Sequence, residues 1–127
     1  NSSVGILKIS QDGDEIWSKT IGGSYGIPGN SLQYIDNGNY IMICSLFDYG
    51  NNSFNSYLLQ FNDTGDILWD VVWGDKKDDH GLGVLQTLDG GFIITGSTNN
   101  YGNGNVFNSD LLLLKTNANG LMVNLNI

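Results

Sequence analysis

The chain has 127 residues, 40% hydrophobic and 14% charged, which suits a folded domain with a real core and not a disordered chain. Thirteen acidic against five basic residues give a net charge of −8. Lys76-Lys77 is the only adjacent cationic pair, flanked by Asp75, Asp78 and Asp79, so the clustered Lys and Arg that neutralise phosphates are missing and both nucleic acid and anionic membrane surfaces are disfavoured as partners.

No apolar run approaches the ~20 residues that cross a bilayer as a helix, so membrane insertion is not expected. No signal peptide is visible before the strand-like run that follows Asn1-Ser2-Ser3; one removed earlier or lying outside this stretch would leave no trace. The 18 Gly and seventeen Asn tolerate left-handed backbone and favour many tight turns.

In chain order, the first strand-like run is Ile6-Leu7-Lys8-Ile9, which turns at Gln11-Asp12-Gly13-Asp14 and returns through Ile16-Trp17. Leu32-Gln33-Tyr34-Ile35 turns at Asp36-Asn37-Gly38-Asn39 and returns through the apolar run Tyr40-Ile41-Met42-Ile43-Cys44. Leu58-Leu59-Gln60-Phe61 turns at residues 62–66 and returns through Leu68-Trp69. Val84 to Leu88 turns at Asp89-Gly90-Gly91 into Phe92-Ile93-Ile94-Thr95-Gly96-Ser97, and Leu113-Leu114-Lys115-Thr116 turns at residues 117–120 toward Met122-Val123. Every segment alternates at period two and none at 3.6, so helix content should be close to nil. Asn-Gly and Gly-Gly between apolar runs predict hairpins, with primed turns whose central residues need positive φ.

These hairpins recur with a period of roughly 52 residues, the mark of units that bury their apolar faces against neighbouring copies. Two hairpins per unit give a four-stranded antiparallel sheet with strand positions A, B, C and D. The chain reads as an all-β array of ten strands: a C–D half unit over 1–23, a full unit over 24–75, and a second full unit over 76–127 whose last strand is degenerate. Units of this length and strand content are the expected make-up of β-propeller blades. Two and a half blades fall short of the four to eight of a usual ring. The expected partners are therefore other blades of one parent protein or other copies of this chain, with an open stack as a third arrangement.

The run Asp110-Leu111-Leu112-Leu113-Leu114-Lys115-Thr116 with Asn119-Gly120, together with residues 86–97 and 13–23, resembles the blade repeats of large bacterial and archaeal surface or secreted propellers, the PQQ-like or SBBP-type repeats. The resemblance covers nearly the whole chain and implies a propeller fold and an extracellular or cell-surface location. It implies no activity, because such blades serve many roles. No PQQ-binding set maps onto these residues. Where earlier units carry Trp17 and Trp69, the last carries Asn124.

Alternation of the strands places the A–B and C–D turns on one side of the sheets and the longer B–C and D–A connections on the other. Tyr49 with Asn51 and Asn52, and Tyr101 with Asn103 and Asn105, occupy equivalent B–C connections. An exposed Tyr with neighbouring amides suits stacking on a sugar ring and bonding its hydroxyls. The competing reading is a Tyr that packs beneath its own loop. Asp75, Asp78, Asp79 and His80 form the one cluster with metal-ligand chemistry, against the alternative of a solvated acidic turn. Calcium is the cation to consider there and at the turns bearing Asp12, Asp14, Asp63 and Asp66, which lack the spacing of an EF-hand. The lone Cys44, inside an apolar run, reads as a buried thiol. The functional expectation is a non-enzymatic module that binds protein or glycan or builds an assembly; the alternative is a piece of a propeller enzyme whose active site needs further blades.

Overall fold

Among the residues the structure describes, period-two alternation becomes nine strands: β1 Val4–Ile9, β2 Glu15–Ile21, β3 Ser31–Tyr34, β4 Tyr40–Asp48, β5 Ser53–Phe61, β6 Ile67–Trp73, β7 Asp79–Gln86, β8 Phe92–Thr98 and β9 Asp110–Thr116. The structure, a computed structural model, describes residues 3–21, 29–99 and 109–123, and among them there is no helix. All pairing is antiparallel, in sheets ordered β1-β2, β3-β4-β5-β6 and β7-β8-β9. Of the tenth predicted strand the described residues show its first step, a bridge between Met122 and Thr116, with Val123 N donating to Lys115 O at 3.0 Å.

Five hairpin turns are built alike. Gly13, Gly38, Gly65, Gly90 and Gly120 each donate a backbone N–H to the residue three earlier, and that residue's own N–H reaches the carbonyl four later. These glycines have φ between 77° and 90°, while none of the residues before them has positive φ. The turns are therefore not the primed two-residue kind expected from Asn-Gly and Gly-Gly; they are three-residue loops closed by a left-handed glycine. The residue that opens each loop explains part of the Asn content. Asn62 Oδ1 accepts from Thr64 N and Asp66 N, Asn117 Oδ1 from Asn119 N and Leu121 N, and Ser10 Oγ from Asp12 N and Asp14 N.

The four-stranded sheet lies between the other two. On one face Ile41, Ile43 and Leu58 join Val84, Phe92 and Ile94 of the three-stranded sheet. On the other, Met42, Cys44, Tyr57, Leu59 and Phe61 join Val4, with Ile6, Trp17 and Ile21 of the two-stranded sheet against them. A strand buried on both faces reads as a continuous apolar run, which is why residues 40–44 lose the alternation seen elsewhere. The outer strands keep it: β1, β2 and β6 alternate between exposed and partly buried positions along most of their lengths.

The same junction joins each pair of neighbouring sheets. The turn glycine of one sheet sits over the indole of the sheet before it: Gly65 over Trp17, and Gly120 over Trp69. Trp17 Nε1 donates to Asp63 O at 2.9 Å, tying the indole to the turn that covers it. Around that contact the Lys8 ammonium pairs with the Asp63 carboxylate, and Lys19 Nζ lies 2.9 Å from Asp66 Oδ1.

Candidate functional site

The β4–β5 ladder runs further than the sequence suggests. Leu46 pairs with Asn55, Phe47 with Phe54, and Asp48 with Ser53, so residues 49–52 are a short hairpin loop and not a long B–C connection. The ladder continues because Phe47 and Phe54 face each other across it, their rings 5.0 Å apart at 66°. Asp48 closes the loop, accepting from Gly50 N at 2.8 Å and from the Asn51 side-chain amide at 2.9 Å. Asn52 takes a left-handed φ of 54°, which Asn tolerates better than most residues.

The Tyr49 ring stands edge-on to Phe47 at 5.1 Å and is exposed. The aromatic row runs on: Phe54 lies 5.1 Å from the His80 ring, and His80 Nδ1 is 3.3 Å from Ser45 Oγ. Tyr49, Asn51 and Asn52 are thus brought to the same end of the stack as His80, joined through Phe47 and Phe54. These two phenylalanines were missed by sequence reasoning. The available signal was their symmetric placement about Gly50-Asn51, which a hairpin reading would have paired. The equivalent residues Tyr101, Asn103 and Asn105 lie outside the described residues.

Of the four expected metal ligands, the structure does not assemble a coordinating set. Among the described residues no group of three or more His, Cys, Asp or Glu is placed to hold a metal ion. The solvated-turn alternative also needs correction, because β7 starts at Asp79 and buries it. Asp79 is buried opposite Thr98 while His80 turns toward Ser45. Asp78 accepts from Phe54 N at 2.9 Å, and Asp75 accepts from the amides of Lys76 and Lys77. Asp75 and Asp79 share a cleft of about 300 Å³ with Trp73, Leu112, Leu114 and Met122.

At the calcium-like turns, the Asp63 and Asp66 carboxylates are likewise engaged. The Lys8 hydrogen bond is the main cause that lowers the Asp63 carboxyl below the usual carboxylate range, and the Lys19 hydrogen bond does the same for Asp66. Bonding to Asp63 raises Lys8 in turn. The sign follows from these directions. The two carboxylates support the fold fully above the ordinary Asp value of ~3.9 and lose that support as pH falls through their lowered values. Lys8 supports it below the ordinary lysine value and loses that support as pH rises through its raised one.

Cys44 is fully buried, and burial pushes its thiol up to about 12. Keeping this thiol neutral weakens the fold as pH rises past the ordinary thiol value. Ser45, next to it, is fully buried too, so its contact with His80 is closed to any substrate. The arrangement offers an exposed aromatic edge and loop amides for contact with a partner. Compared with known protein families and with curated proteins, the chain matches none.

Proposed function

We propose that the chain is a non-enzymatic repeat module, acting outside the cell or at its surface, whose sheets are β-propeller blades that build an assembly with further blades or further copies. What supports this reading is the contrast between the middle sheet and the ends of the stack. Leu111 is 81% exposed and Leu113 64%, with Leu85 beside them on the outer face of the three-stranded sheet; Leu7, Ile9 and Ile16 line the opposite end. Contiguous apolar surface of this kind marks sites of association. The middle sheet turns equivalent strands to a neighbour on both faces, so the end sheets have the side chains of interior sheets with solvent in the neighbour's place.

Protein or glycan binding would fall to the loop end bearing Tyr49, Asn51 and Asn52, where an exposed ring and amides meet. Assembly is the better supported role, because it engages the larger apolar area.

Light scattering over a range of concentrations tests it. The expected mass exceeds the 13.8 kDa of one chain and rises with concentration, and the double change Leu111→Glu with Leu113→Glu returns it toward one chain. These residues are exposed, so both changes leave the fold intact. A wild-type mass of one chain at every concentration would sink the assembly reading.

A further inference from the structure

The edge of β1 that faces away from β2 points to a second docking place, separate from the end faces. β1, β5 and β9 hold the same position in the repeat, each carrying an apolar pair (Ile6-Leu7, Leu58-Leu59 and Leu113-Leu114) and leading into a glycine turn. β5 is flanked by β4 and β6, and β9 has β8 on the corresponding edge. Among the described residues β1 pairs with β2 alone. Its other edge carries a row of backbone donors and acceptors with no strand against them, a template for strand addition.

The platform beside this edge has the matching defect. β3 covers the neighbouring sheet with one face only. Ile35, just past its end, is 2% exposed against the three-stranded sheet, whereas Leu32 and Tyr34 are 54% and 64% exposed. Between β1 and β3 runs an open groove of about 320 Å³, lined by Val4, Ile6, Leu7, Leu32 and Met42. It continues past Tyr40 and Phe61. On the far side of β3 the equivalent space is filled by β7, the first strand of the β7–β8 hairpin. There Gln33 accepts from Gln86 N at 2.8 Å, and Gln86 binds Asp36 through both ends of its amide.

We infer that the groove between β1 and β3 is a binding site for a β-hairpin of the A–B kind, its second strand adding to the free edge of β1 and its first lying over Leu32 and Tyr34. The occupant is a partner hairpin, with apolar alternation on both strands and a left-handed glycine at the turn. The A–B hairpins of this chain, β3–β4 and β7–β8, are already used within their own sheets, so a second folded copy has none to give without unfolding. The edge carries none of the usual protection either. Lys8 is the one charge on β1, and its ammonium is drawn inward to the Asp63 carboxylate. This inference rests on reading the sheets as copies of one unit. It does not depend on self-association through the end faces, so the two can fail separately.

A synthetic peptide of residues 82–99, the chain's own β7–β8 hairpin and free of cysteine, is the probe. Added to the full chain, it should bind saturably and slow amide hydrogen exchange along Val4–Ile9. Leu32→Glu should weaken binding about tenfold or more, in line with removal of a central apolar anchor. Leu111→Glu, on the outer face of the three-stranded sheet, should leave binding unchanged. Both positions are exposed, so neither change threatens the fold. Three results would each overturn the site: no binding, binding without protection of β1, or equal loss in the two variants. A scrambled peptide that binds as well would overturn it too.

Discussion

Leu58→Ala and Leu59→Ala should each destabilise the chain by about 2–5 kcal/mol, the usual cost of emptying a filled core site. The pair is informative because the residues are consecutive on β5 and point to opposite faces of one sheet. Leu58 belongs to the cluster shared with Val84, Phe92 and Ile94, and Leu59 to the cluster shared with Val4 and Phe61. Both are fully buried. A sheet with a single buried face would leave one of them in water, and its loss would cost well under 1 kcal/mol. Chemical denaturation of the two variants against the parent gives the comparison. One large and one negligible effect would show that the sheet has only one covered face.

A second large effect is expected at the turn glycines, and it separates two causes. Gly13→Ala, Gly65→Ala and Gly120→Ala all force a side chain into left-handed backbone, with φ of 90°, 81° and 77°. That alone costs roughly 1–2 kcal/mol. A methyl at Gly13 would meet nothing within 4 Å, whereas at Gly65 it would lie 3.0 Å from the Trp17 ring and at Gly120 2.5 Å from the Trp69 ring. The two interior turns should therefore lose the backbone cost plus a further ~1–3 kcal/mol of overpacking, in the order Gly120, Gly65, Gly13. Thermal unfolding of the three variants measures it. Equal losses at all three would mean that the indole-over-glycine contact does not hold neighbouring sheets together.

The hairpins were legible because each is punctuated by a glycine and framed by alternating residues, as at Asp36-Asn37-Gly38-Asn39 between Ile35 and Tyr40. The kind of turn was not. Asn-Gly suits both a primed two-residue turn and a longer loop closed by glycine, and the choice depends on where the flanking ladder ends. That end is set by cross-strand pairs. The ladder steps Gln60 to Trp69 and Phe61 to Ile67 carry a bulge that residue types alone do not announce.

The same limit explains the loop around Tyr49. Asp48-Tyr49-Gly50-Asn51-Asn52 has the composition of a long connection, yet Phe47 and Phe54 zip the strands together up to Asp48 and Ser53. The acidic cluster misled for a related reason. Asp75 to His80 looks like one ligand set when counted along the chain, but β7 begins inside it, with Asp79 in the cleft beside Trp73 and His80 against Ser45 and Phe54. Burial of the middle sheet on both faces was foreshadowed by the unbroken run from Tyr40 to Cys44. Which sheet lies against which face was not, since periodicity records that a side chain is covered and not by what.

The end faces and the β1 edge take their meaning from the stacking order, with the four-stranded sheet in the middle. Methyl-to-methyl nuclear Overhauser contacts on the labelled full chain test that order most directly. The account predicts cross-peaks from Ile41, Ile43 and Leu58 to Val84 and Ile94, and a separate set from Met42 and Leu59 to Val4. Absence of either set, or cross-peaks from Val4 to Ile94, would contradict it.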